Sequence, residues 1–193
     1  MLRTQHVNAK RGAELIASSG EVVQFWRDAG AQSWFSKNEA FDRAFHERFA
    51  EAHLAAARRE MDGWADDPQG ALALMILLDQ FPRNCFRGTG HMYATDPLAR
   101  PFARRAIAAG HDMAIEAPIR AFFYMPFMHS EDLADQDLAV RLCSPLGGDY
   151  EEAAIEHRAI IAEFGRFPHR NPMLGRETTS EERAFLEGGG FAG

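Results

Sequence analysis

Arg166, His169, Arg170 and Arg176 crowd into FGRFPHRNPMLGRETT, residues 164–179, where the apolar helical pattern of AAIEHRAIIAEF has to end. A shorter copy, LLDQFPRNCFRGTG at 77–90, again follows a buried-looking helix with Phe81, Pro82, Arg83 and Asn84. Guanidinium groups bind carboxylates and phosphates through paired N–H donors. The two segments therefore read as halves of one anion site, with Arg83, Asn84, Arg166, Arg170 and Asn171 as ligand-binding residues. Gln80 lies within the 77–90 segment, and FMHSED at 127–132 contributes Ser130 and Glu131. Three histidines can move a proton near neutral pH: His157, which shares a helical face with Ala153, Ile160, Ile161 and Phe164, His169 in the second segment, and His129 in FMHSED. These are the candidate catalytic residues.

Asp79 completes the set. It stands in the final turn of the most apolar helical pattern, where a carboxylate meets the negative end of the helix dipole and an apolar surround, so it requires a cation. Arg83, or an arginine of the second segment, is the expected partner, and Asp79 then either belongs to the site or ties the two Phe-Pro segments together. His129, Glu131, His157 and His169 are also ligand types suited to zinc or iron. The spacing argues against that, because the chain has no HExxH, no pair of histidines four apart and no cysteine cluster. No metal and no cofactor is expected. GxSxG and GxxxxGK are absent, and RGTGHMY at 87–93 lacks the third glycine of a dinucleotide fingerprint.

Helices must position these residues, since apolar residues recur at three- and four-residue steps and no alternating β-branched run competes. Phe41, Phe45, Phe49, Ala52 and Ala56 predict an amphipathic helix over 38–58 with Asn38 as its N-cap. EVVQFWRDAG at 21–30 predicts another, and the rings of SWF at 33–35 are expected to fold back on the same core. ALALMILL at 71–78 is apolar all round, which predicts a central helix from Pro68 to Gln80. Asp96-Pro97 opens a helix reaching Gly110, and a short one breaks near Pro126. Ser130 is expected to cap a helix over 131–143, Asp149 and Glu152 have capping-box spacing for a helix ending near Gly165, and Thr179 with Glu182 repeats that signal. GGGFAG at the end reads as a helix stop and a flexible tail. The sum is an all-α fold of about eight packed antiparallel helices in one domain over 20–193, after a polar segment over 1–19.

The chain of 193 residues is 46% apolar, enough for one good-sized core. Its formal net charge of −7 argues against broad binding to nucleic acid or anionic membrane. Of 21 basic residues only Lys10 and Lys37 are lysines, so clustering of arginines carries more information than their identity. Cys85 and Cys143 form no disulfide framework, the N-terminus has no signal-peptide core, and the longest apolar run is too short to span a bilayer. A cytoplasmic protein is expected.

LLDQFPRN at 77–84, PFMHSED at 126–132 and FGRFPHRNPMLGR at 164–176, together with the FW, WF and FD pairs between 25 and 42, resemble a bacterial family called domain of unknown function 924. The resemblance covers about residues 20–190. It implies a compact all-α domain grouped with tetratricopeptide-like helical proteins, here without a strict repeat, and it carries over no reaction or catalytic residue. Three readings stand. The polar blocks form a pocket for a small anionic ligand, phosphate or carboxylate; or a tetratricopeptide-like scaffold that clamps an acidic peptide or partner protein; or a buried polar network that only fixes the loops.

Overall fold

The computed structural model describes residues 16–193, so most of the polar segment expected over 1–19 lies outside the described residues. Among the described residues eight α-helices of five or more residues carry the fold: α1 (Ser19–Ala29), α2 (Glu39–Ala57), α3 (Pro68–Met75), α4 (Phe81–Cys85), α5 (Asp96–Ala108), α6 (Leu133–Cys143), α7 (Gly148–Phe164) and α8 (Ser180–Glu187). Short helical turns join them, and no strand occurs among the described residues.

Local chemistry sets most of the helix starts. Asn38 Oδ1 accepts the backbone N–H groups of Ala40 and Phe41 to open α2. Capping boxes open α1, from Ser18 and Glu21, and α8, from Thr179 and Glu182. Two expected caps are different. Asp132, not Ser130, caps α6, because its carboxylate reaches the N–H groups of Ala134 and Asp135, while the Ser130 hydroxyl donates to the Asp135 carboxylate at 2.8 Å. No box forms between Asp149 and Glu152, since α7 already begins at Gly148, behind Gly147 at φ 67°.

The core assembles around α3, in which all of Gly70–Met75 is buried. Trp26, Phe45, Phe49, Phe81, Phe122 and Phe127 belong to the same core, each no more than 1% exposed. Each such ring withdrawn from water stabilises the fold by about 1.5–3 kcal/mol. Of the SWF rings only Trp34 joins this core; Phe35 is 61% exposed. A second, smaller cluster of Ile160, Ile161 and Phe167, with Phe164, Phe185 and Phe191 around it, anchors the far end of the chain.

The first Phe-Pro segment differs from a loop. After α3 the backbone widens into one π turn, Ile76–Gln80, in which the Phe81 N–H reaches back to the Ile76 carbonyl, and α4 follows directly. Pro82 has no N–H to give, so an α-helix would lose a bond there. The wider turn, a device found at functional sites, lets the helix run on through the proline. Asp79 consequently sits in mid-helix, and its need for a cation comes from burial alone.

Candidate functional site

Both Phe-Pro segments reach one cavity of about 730 Å³. Its walls are largely apolar, with Trp34, Phe35, Met92, Met125, Met128 and Tyr150 among them. One end is polar and brings together Gln80, Arg83, Asn84, Tyr93, His129, His157, His169 and Arg170.

The π turn aims Asp79 inward with no exposure. His129 Nδ1 lies 2.8 Å from Asp79 Oδ1 and 3.0 Å from Oδ2. Gln80 Nε2 donates to Oδ2 at 2.6 Å, and Arg83 Nη1 stands 3.2 Å from Oδ1. Burial alone would raise the Asp79 pKa, but Arg83 and then His129 outweigh it and hold the carboxyl ionised, well below its usual range. Burial and the Arg83 charge depress His129 against the pull of Asp79, so the ring is neutral at pH 7. A neutral ring whose Nδ1 faces a carboxylate must carry its proton there. Its Nε2 is then a lone pair.

Arg83 is fully committed on one edge. Nη1 donates to the Asp79 carbonyl at 2.6 Å and to Asp96 Oδ1 at 2.8 Å, and Nη2 to Asp96 Oδ2 at 2.8 Å. Arg170 is held differently. Its guanidinium lies between the rings of Tyr93, at 4.6 Å, and Phe167, at 4.3 Å, with the residue only 6% exposed. No side-chain hydrogen bond of Arg170 is present among the described residues, its Nε is buried without a partner, and its ion pair with Asp96 is long at 3.9 Å. Burial, then the Arg83 charge, pulls the Arg170 pKa down to about 10. Asp96 is thus the joint between the two segments.

The other two histidines are neutral as well. His157 Nδ1 donates to the Ala153 carbonyl at 2.7 Å, which leaves Nε2 as a lone pair, and burial pushes its pKa down to about 3. Burial, then Arg170, pushes His169 down to about 4, and its buried Nδ1 has no partner among the described residues. Phe191 packs against both, with ring centroids 4.5 Å from His157 and 5.2 Å from His169. The C-terminal residues expected to form a flexible tail therefore line the cavity, through Phe191 and Gly193.

Four sequence candidates lie elsewhere. Arg166 donates to Glu182 at 2.5 and 2.9 Å and to the Glu177 carbonyl at 2.8 Å, so it does not face Asp79. Asn171 donates to Glu182 and accepts from Arg176. Glu131 holds Arg176 at 2.6 and 2.9 Å and accepts the Phe167 N–H at 2.9 Å. Ser130 is taken by Asp135. None of the four lines the cavity; Arg166, Asn171 and Glu131, together with Arg176, clasp the segment that carries Arg170, while Ser130 serves α6 through Asp135. Sequence reasoning in turn passed over Tyr93, Asp96 and Phe191. Asp96 before Pro97 has an ordinary explanation as a helix start, which masks its role between two arginines. Among the described residues no group of three or more His, Cys, Asp or Glu side chains is gathered as a metal site.

A family model described as bacterial protein of unknown function, DUF924, matches residues 22–190. A solved structure of a protein of unknown function, ATU0120 from Agrobacterium tumefaciens, is similar to the chain at 60% sequence identity. That similarity covers 88% of this chain and 97% of that one, with a TM-score of 0.87. No curated protein matches the chain.

Proposed function

The chain belongs to the bacterial DUF924 family, and we propose that its cavity binds a small amphipathic anion, the carboxylate or phosphate on Arg170 and the apolar part along the Met and aromatic wall. One observation carries this reading: Arg170 is a buried guanidinium, stacked on two rings, with no hydrogen-bond acceptor among the described residues. A buried cation without acceptors is costly. An incoming oxyanion would supply the acceptors, and the rings on both faces leave only the edge of the fork open to it. His129, His157 and His169 add lone pairs and titratable protons beside it.

An acidic peptide would call for several free cations in a row. Of the arginines in the two segments, Arg83, Arg87, Arg166 and Arg176 are each engaged by a carboxylate. The peptide-clamp reading therefore has less support. No helix among the described residues is long and apolar enough to cross a membrane.

Titration calorimetry with octanoate, phenylacetate and inorganic phosphate tests the proposal. Octanoate or phenylacetate should bind at one site per chain, more tightly than phosphate, and Arg170→Met should remove the binding. Heats no larger than dilution for all three anions would defeat it.

A further inference from the structure

The arrangement around Asp79 is more specific than ion binding requires. An anion receptor needs donors, and Arg170 supplies them; a fully buried carboxylate gripping the Nδ1 of a cavity-lining histidine adds nothing to that task. It does add basicity at the other nitrogen. The carboxylate fixes the tautomer and stabilises the imidazolium that forms when Nε2 accepts a proton. His157 and His169 lack such a partner, since His157 Nδ1 is held by a carbonyl and His169 Nδ1 by nothing among the described residues. Of the three neutral histidines, His129 is the one built to become charged for a moment.

The nucleophile follows from the walls. No Ser, Thr, Cys or Lys lines the cavity among the described residues, the tyrosine hydroxyls on its wall donate elsewhere, Tyr93 to Met173 and Tyr150 to the Pro118 carbonyl, and Asp149 is exposed to solvent. Water is left. Arg83 adjoins the base, since its Nη1 and His129 Nδ1 both stand on Asp79 Oδ1, at 3.2 and 2.8 Å. Three of its hydrogen bonds go to Asp79 and Asp96, which leaves its Nε–H and one Nη2–H for an oxygen in the cavity.

We infer that the protein is a hydrolase in which His129 Nε2 takes a proton from water for attack on the acyl carbon of an ester whose own carboxylate rests on Arg170. The inference rests on the anion reading of Arg170 given above. Water gives one proton to Nε2 while its oxygen bonds to the carbonyl carbon, and the carbonyl oxygen becomes an oxyanion beside the free Arg83 donors. The oxyanion re-forms the C=O, the ester C–O bond breaks, and the departing alkoxide oxygen takes the proton from Nε2. One water and one ester give one acid and one alcohol, and His129 ends neutral. Asp79 acts as a positioning residue throughout.

The test uses the full chain with the mono-4-nitrophenyl ester of glutaric acid, which carries a carboxylate, and with 4-nitrophenyl butyrate, which carries none. Nitrophenolate release gives the rate, and glutarate binding is followed in parallel by calorimetry. The charged ester should be preferred in kcat/KM by about tenfold or more, and Arg170→Met should erase the preference. His129→Gln keeps an N–H donor for Asp79 and should lower kcat by roughly 100-fold with KM little changed, the usual worth of a general base. His46→Gln, an exposed ring outside this cavity, serves as the control and should leave the rate unchanged. Asp79→Asn should lower kcat and move the acid limb of the pH–rate profile, which a purely structural role would not move. Should His129→Gln fail to fold, inactivation of the unmodified protein by diethyl pyrocarbonate, slowed by glutarate and mapped by peptide mass spectrometry to His129 rather than His157 or His169, reads the same ring. Glutarate binding with turnover no faster than free imidazole, or turnover undiminished by loss of His129, overturns the hydrolase and leaves the anion site standing. No binding of glutarate, octanoate, phenylacetate or phosphate removes both, and octanoate binding with neither glutarate binding nor ester turnover overturns the hydrolase alone.

Discussion

Replacing Arg170 by Met separates a site residue from an architectural one, because the two roles predict opposite signs for stability. Arg170 is buried, its side chain makes no hydrogen bond among the described residues, and its pKa is drawn down to about 10. At about 1.4 kcal/mol per tenfold change in acidity, the drop from the ordinary arginine value of 12.5 represents a cost on the order of 3 kcal/mol for keeping this charge folded. The cost is fully present at pH 7, where the group is protonated in both folded and unfolded chains. Met removes the charge and keeps a flexible apolar stem between Tyr93 and Phe167. Losing two ring contacts gives back about 1–2 kcal/mol, part of which the thioether recovers against the same rings. The net expectation is a gain of about 1–2 kcal/mol, or roughly 2–8 °C in Tm for a chain of this size, together with loss of octanoate binding. Circular dichroism melts and calorimetry on that variant measure both. A loss of stability above about 1 kcal/mol, with no anion affinity in the parent protein, would refute the argument and make the segment pure architecture.

Acid should destabilise the protein above the carboxylate range. His157 and His169, held near 3 and 4, stay neutral in the native state while the unfolded chain protonates its histidines below about 6.5, so stability falls as pH falls. From pH 7 to 5 the loss is about 2 kcal/mol per ring, read from urea midpoints, and a flat profile in that window would contradict it. Asp79 and Glu182 have depressed values and contribute above the unfolded carboxylate range, losing that contribution only below about pH 4. Glu182→Ala should cost roughly 1–3 kcal/mol by stranding Arg166 and Asn171, with anion affinity unchanged. A variant that melts normally but no longer binds octanoate would move that network into the site. Asp79→Ala should cost about 3 kcal/mol, the low end for one partner removed from a buried pair, since Arg83 keeps Asp96; a neutral effect in denaturant titration would mean the carboxylate is not buried in solution.

The helical architecture was legible because periodicity and caps are local. Asn38, Thr179 and the all-apolar run at 71–78 each report on their own turn of backbone, and all three held. The misplaced caps failed where a side chain had a tertiary alternative. Ser130 could cap α6 by spacing, yet Asp132, two residues on, reaches the same N–H groups with a charged acceptor and leaves Ser130 to Asp135. The π turn was hidden for a related reason. Phe-Pro normally announces the end of a helix, and only the packing that buries Ile76–Pro82 shows that the chain gains more by widening one turn than by leaving the core.

For the site, residue types were legible and pairings were not. Five arginines with similar neighbours stand in the two segments, and nothing in their spelling distinguishes Arg166, which a carboxylate sixteen residues away has claimed, from Arg170, which has none in hydrogen-bond reach. The difference is set by Asp96, through a geometry no motif encodes: its carboxylate is bidentate to Arg83 and stops 3.9 Å short of Arg170. Asp79 and Asp96 together match the two buried guanidiniums in charge, but both lie against Arg83, so Arg170 keeps its donors without an acceptor in reach while the histidines beside it stay neutral. A purely structural network would be expected to meet those donors with an acid in hydrogen-bond reach, as Glu182 and Glu131 do for Arg166 and Arg176. The unmet donors of Arg170 stand on the wall of the cavity, which is why we assign their acceptor to a ligand.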